Sequence, residues 1–267
     1  MRGYAKTLTL LTTRLAGLLD DSSHERWTLT EKEEAINVAI ISAFPRWHEV
    51  QTTEDNTYSK TVYRYTLPYG AEDLIAVYLE PTTAGEAWKL IRTWHTDGDY
   101  LYLHEAQDNL DGKKMRMVCV AAPWELRKYA AKTDGVTTLN TSNFSSATGT
   151  FVTWGVKPGD RLFLKSGTGL SADVGEWWIK SVTSETALVV YGKFTETTSV
   201  VVYAVNEDTR VPEMFILHKA AAEVYQLAGH KGAGQDIAED MQWAEFHSQM
   251  AEYYLDKQER QFPTRRG

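Results

Sequence analysis

Cysteine is almost missing from this chain. Cys119 is the only one in 267 residues, so no intrachain disulfide can form. It sits in the apolar run Met117-Val118-Cys119-Val120-Ala121, which predicts a buried, inert thiol and fits assembly where thiols stay reduced. Long hydrophobic runs are also missing, and none approaches the ~20 residues that a membrane span needs. The stretch from Leu8 to Leu19 follows an Arg and a Lys. Thr7, Thr9, Thr12, Thr13 and Arg14 interrupt it, so it lacks the continuous apolar region of a signal peptide. Positive charge is in deficit as well, with 28 Lys and Arg against 36 Asp and Glu, a net charge of −8. That balance argues against a general nucleic-acid binder, which needs a basic surface to neutralise phosphates. It leaves room for a smooth acidic surface past which DNA slides.

Catalytic motifs are lacking too. The sequence has no glycine-rich phosphate loop, no Gly-x-Ser-x-Gly elbow and no His-Glu-x-x-His pair. One cysteine cannot build a thiolate zinc site. We therefore expect no enzyme and no cofactor. The nearest approach to a metal cluster is His95, Asp97, Asp99, His104 and Glu105, where hairpin geometry could bring the two histidines close. Aspartates around a glycine are more simply the residues of a tight turn. Asp108-Asn109-Leu110-Asp111-Gly112 likewise lacks the alternating ligands and closing Glu of a calcium loop, and reads as a turn. Trp154 and the Trp177-Trp178 pair suggest a surface on which sugars stack. Adjacent strand residues point to opposite faces, so at most one of that pair lies on any one surface and the other belongs to a core.

What the chain does contain is clear helical and strand patterning. Leu8, Leu11, Leu15, Leu18 and Leu19 recur at helical spacing and predict an amphipathic helix that ends near Asp20-Asp21-Ser22-Ser23. Thr28 with Glu31, or Thr30 with Glu33, has capping-box spacing and starts a second helix. Its buried face is Ile36, Ala39, Ile40, Ala43 and Phe44, and Pro45 marks its end. Strand signals follow at 61–67, 74–79, 88–94, 100–104 and 115–121, with a hairpin at Asp97-Gly98-Asp99. They predict a small antiparallel sheet. The segment 123–132 reads as a short helical or irregular link. The Thr-, Ser-, Asn- and Gly-rich segment 133–148 reads as a loop or boundary. Short strands at 161–164, 176–182, 187–191 and 199–205 then have the spacing of a barrel or sandwich.

The C-terminal helical pair, 211–260, organises the rest. Pro212 suits a first helical turn. Leu217, Ala221, Val224, Tyr225 and Ala228 form one stripe, and the glycines of 229–234 break it. In the second helix, Ile237, Met241, Ala244, Ser248, Ala251 and Leu255 form a narrow seam. Trp243, Phe246, Met250, Tyr253 and Tyr254 lie off that seam, so this helix must bury more than one side. The end of the chain, with Arg260, Phe262, Arg265 and Arg266, is locally basic on an acidic protein.

These parts imply an α+β fold. A helical bundle of two N-terminal and two C-terminal helices carries a small antiparallel sheet and an inserted all-β module. Residues 1–132 hold the N-terminal helices and sheet, 133–206 the inserted barrel- or sandwich-like module, and 207–267 the helix pair and tail. The order of two N-terminal helices, Tyr65-Thr66-Leu67-Pro68 opening a sheet, Asp73-Leu74-Ile75-Ala76-Val77, and a closing alanine-rich helix pair resembles the head-to-tail adaptor (connector, or neck) proteins of tailed bacteriophages. The resemblance covers roughly 5–125 and 207–260, and the insert departs from the compact adaptors. It implies a virion structural protein, assembled in the host cytoplasm. About twelve copies would form a ring beneath the portal protein, joining it to a tail or nozzle protein and lining the DNA exit channel. Genomic DNA would pass without sequence-specific binding, and no membrane is involved. The resemblance assigns Trp243, Phe246, Tyr253 and Tyr254 to contacts between subunits, and Arg260, Phe262, Arg265 and Arg266 to the portal. The alternative is a virion module whose β-insert binds a glycan or another protein.

Overall fold

The computed structural model describes residues 6–83, 85–104, 108–127, 131–231 and 237–261. Their fold is α+β, with four helices, two antiparallel sheets and a closed six-stranded barrel. Contacts divide the chain into two compact units. One gathers Met1–His48, Pro123–Tyr129 and Asn206–Gly267; the other gathers Glu49–Ala122 and Ala130–Val205. The sheets therefore cluster with the barrel.

The first unit is helical. Helix α1 (Leu8–Leu18) starts at Thr7, whose side chain accepts from the N–H of Leu10. It ends with Asp20 in the left-handed region (φ 51°), the N–H of Asp21 bonding to the carbonyl of Ala16. That closure frequently takes glycine, and an aspartate tolerates it at modest cost. Leu8, Leu11, Leu15 and Leu19 are buried, whereas Leu18 is exposed. Helix α2 (Leu29–Ser42) uses the first of the two expected capping boxes, Thr28 with Glu31. Ile36, Ala39, Ile40 and Ala43 are fully buried. Helices α3 (Glu213–Lys231) and α4 (Ile237–Gln261) complete the unit. Pro212 stands just ahead of α3 rather than inside it. Helix α3 packs against α1, α2 and α4, which explains why Phe215, Ile216, Ala220, Ala221, Ala222 and Val224 are all buried.

The loop between α1 and α2 closes around one ion pair. Lys32 is fully buried, and its Nζ reaches the Asp21 carbonyl (2.7 Å), Asp21 Oδ2 (2.8 Å) and His24 Nδ1 (2.9 Å). The Asp21 carboxylate also accepts from the N–H groups of Glu25, Arg26 and Trp27. Burial by itself would raise its pKa, but the Lys32 and backbone hydrogen bonds outweigh it and hold the carboxyl down to about 2.

The second unit is all-β. Strands β1 (Glu49–Thr57), β7 (Lys114–Ala121), β3 (Ala71–Leu79) and β4 (Lys89–Ile91) form one sheet in that order. Strands β2 (Arg64–Thr66), β6 (Tyr100–Leu103) and β5 (Trp94–Asp97) form a second. The single expected sheet is thus two, because the segment 88–94 divides between them. Cys119 is buried in β7, and burial, with a smaller contribution from Asp73, pushes its thiol up to about 12. The barrel runs β10 (Arg161–Gly167), β11 (Gly175–Ser184), β12 (Ala187–Val190), β9 (Asn143–Ser146), β8 (Lys132–Thr137) and β13 (Thr198–Val205). Closure leaves it no free edge.

The segment expected to be a loop, 133–148, instead supplies β8 and β9. Its alternation is real but written in small residues, with Gly135, Thr137, Phe144 and Ser146 buried. Gly135 is small because the rings of Phe144 and Tyr203 lie over it. A Cβ there would come within 2.7 Å of Phe144 Cζ. We expect Gly135→Val to destabilise the barrel by about 2–3 kcal/mol, since overpacking forces those rings off their rotamers. Chemical denaturation followed by tryptophan fluorescence checks this; an unchanged midpoint would refute it.

Candidate interaction site

The chemistry-bearing side chains of the helical unit converge where α4 lies against α3. The residues of α4 that turn inward are Asp240, Ala244, His247, Ala251 and Leu255. The expected seam is therefore right at Ala244, Ala251 and Leu255, with Ser248 half-buried, and wrong at its first two positions. Ile237 and Met241 are exposed, and Asp240 and His247 take the inward positions. Pattern reading passes over a polar residue in such a stripe, yet both have partners. Asp240 pairs with Arg26. Nδ1 of His247 lies 2.9 Å from Nδ1 of His218, so one imidazole donates and the other accepts.

Aromatic rings enclose the histidine pair. Tyr254 stacks on His218 with centroids 5.5 Å apart, and Tyr225 stacks on His247 at 5.8 Å. Tyr225 also meets Trp27 edge-on and Trp243 face-on, while the Arg26 guanidinium lies over the Trp27 ring. Burial lowers the pKa of His218. Burial, reinforced by repulsion from a charged His218, pushes His247 down to about 4. The folded state thus refuses protons that the unfolded chain accepts from an ordinary value of 6.5. The sign follows directly: stability is complete above about pH 6.5 and falls as pH drops towards 4. We expect a loss of about 2 kcal/mol across that window. Urea midpoints at several pH values check it, and His247→Gln should flatten the slope. A wild-type midpoint constant from pH 7 to 4 would refute the assignment.

Beside this pair is a groove of about 760 Å³, lined by Leu18, Leu19, Asp20, Arg26, His218, Tyr225, Glu239, Asp240, Trp243, Phe246 and His247. Two of the four aromatic residues singled out from the sequence, Trp243 and Phe246, form part of its wall. They stay exposed, at 44% and 48%, as does Tyr253 at 55%. With half-buried Met250 they make a stripe at spacings of three and four on the flank of α4, next to the face that packs on α3, and Trp243 still stacks on Tyr225. Tyr254 differs: it is half-buried against the core of the helical unit. Arg260 lies within α4, and Phe262, Arg265 and Arg266 lie outside the described residues. His218, Asp240 and His247, the polar core of the site, carry no motif in the sequence.

In the β unit, the other residues singled out from the sequence separate. His95 and His104 do meet, with Nδ1 and Nε2 2.8 Å apart and the rings stacked. Glu105 lies outside the described residues, and no group of three or more metal-ligating side chains occurs among the described ones. Asp108–Leu110 forms a short 3-10 turn. Trp178 is buried under Arg161 and against Tyr191, whereas Trp177 is half-buried. The two tryptophans border a pocket of about 340 Å³, together with Gln51, Glu54, Glu176 and Tyr191. Among the described residues no helix is long and apolar enough to cross a membrane. No family model matches this sequence, and no curated protein matches it either.

Proposed function

We propose that this chain is a head-to-tail adaptor of a tailed-bacteriophage virion. About twelve copies form a ring beneath the portal and join it to the tail or nozzle. The four helices act as the bundle of the ring wall, and the inserted barrel serves contacts outside it. One observation carries the reading. Helix α4 packs on α3 through Asp240, Ala244, His247, Ala251 and Leu255 and still exposes Trp243, Phe246 and Tyr253 on its flank. A soluble chain gains from covering such a patch, and a closed ring covers it on every copy. The net charge of −8 suits a channel that DNA traverses without sticking. In this reading the portal contact falls to Arg260, Phe262, Arg265 and Arg266, and the protein resides at the virion neck after assembly in the host cytoplasm. It performs no catalysis.

Electron-microscopy class averages of the chain, alone and mixed with portal protein, test the proposal. Rings under either condition support it, and monomers under both overturn it. The pocket beside Trp177 and Tyr191 favours a second reading, a glycan- or protein-binding module, because half-buried aromatic rings and the carboxylates of Glu54 and Glu176 converge there. A flat tryptophan-fluorescence response across a sugar panel would remove the glycan form of it.

A further inference from the structure

The groove on the helical unit has an acidic character that the buried Asp240–Arg26 pair leaves in excess. Asp20, Glu239 and Asp240 stand there against a single guanidinium, Arg26, which already pairs with Asp240. Trp243 and Phe246 add exposed apolar wall. At the far end of the same helix the sequence reverses in sign. Residues 257–267 carry Lys257, Arg260, Arg265 and Arg266 against Glu259, and one aromatic, Phe262. Guanidinium groups bond carboxylates in pairs and lie flat on indole and phenyl faces. A phenyl ring adds edge or offset contacts to the same wall.

The same copy cannot supply this segment. Asp240, the groove carboxylate nearest the end of α4, is twenty-one residues before Gln261, about 32 Å along the helix. Arg266 is five residues beyond Gln261, so its Cα reaches at most about 18 Å from it when fully extended and its guanidinium about 7 Å further, which falls short. Phe262, the next residue after Gln261, reaches far less. The occupant therefore comes from another molecule.

We infer that the groove binds the basic C-terminal segment, 260–266, of a second copy of this chain. The inference rests on the ring reading and deepens it. Donor segment and acceptor groove sit at opposite ends of α4, so each copy gives at one end and receives at the other, as a closing head-to-tail contact requires. It seats on a neighbour the same residues that a portal contact would use, and the experiment separates the two.

A fluorescein-labelled peptide of residues 257–267 is titrated with the full chain, held below the concentration at which it self-associates, and read by anisotropy. Saturable binding is expected. Asp20→Lys with Glu239→Lys should weaken it by about tenfold or more, as should Phe262→Ala in the peptide, with circular dichroism confirming that the protein variant stays folded. A flat titration, or binding that the groove substitutions leave unchanged, overturns the inference. Capture of the peptide by portal protein but not by this chain also overturns it. That outcome leaves the ring reading standing, because electron microscopy scores ring formation separately.

Discussion

Lys32→Ala is expected to destabilise the helical unit by about 3–5 kcal/mol, the usual cost of stranding one member of a buried ion pair. The ammonium group is completely buried, and its three hydrogens meet the Asp21 carbonyl, the Asp21 carboxylate and His24. Without it, a carboxylate that is only 6% exposed keeps its charge and loses its counterion. The loop that this carboxylate organises, through the N–H groups of Glu25, Arg26 and Trp27, loosens with it. Lys32→Met with Asp21→Asn removes both charges and should recover part of the loss, since no buried charge is then unpaired. Urea unfolding resolved into two transitions, one for each unit, measures the effect. A change below about 1 kcal/mol in Lys32→Ala would refute this account. The acid side follows from the same pair. The Asp21 pKa is depressed from 3.8 to about 2, so its contribution is complete above about pH 4 and disappears as pH falls towards 2. That window lies below the histidine window, and the two losses should appear as separate steps.

In the proposed ring, Phe246→Glu combined with Tyr253→Glu is expected to weaken self-association about a hundredfold or more while leaving the fold intact. Both rings are about half exposed, so little internal packing is lost. Aromatic anchors at an interface commonly contribute about 2 kcal/mol or more each, and placing two carboxylates in a dehydrated contact opposes association further. Sedimentation velocity across a concentration series measures the change. Association equal to wild type would place the subunit contact elsewhere. Tyr254→Ala should behave in the opposite manner, lowering stability more than association, because its ring stacks on His218 within the unit.

Local patterning carried much of the fold. Thr28 and Glu31 announce the start of α2, and their mutual hydrogen bonds form as the spacing predicts. Leu217, Ala221, Val224 and Tyr225 predict the buried stripe of α3. Strand β1 was not legible. Its sequence, Glu49-Val50-Gln51-Thr52-Thr53-Glu54-Asp55-Asn56-Thr57, is mostly polar, and it is a strand because β7 offers it a ladder from Glu49–Ala121 to Thr57–Lys114. The site was half legible. Exposed aromatics off a helical seam stand out by period, but a buried histidine pair does not. His218 and His247 are twenty-nine residues apart in the chain.

By itself the sequence determined the four helices and most of the strands, the single buried thiol, the acid excess and that Trp243, Phe246 and Tyr253 lie off the seam of α4. These follow from the residues themselves and from periods of two and 3.6, which act over a few neighbours. Only the tertiary structure decided that six strands close into a barrel, that Gly135 must stay small beneath Phe144, and that Asp240 and His247 rather than Ile237 and Met241 face α3. Burial of a polar group depends on the partner it meets. Those partners, Arg26 and His218, are brought to it only when distant parts of the chain have packed.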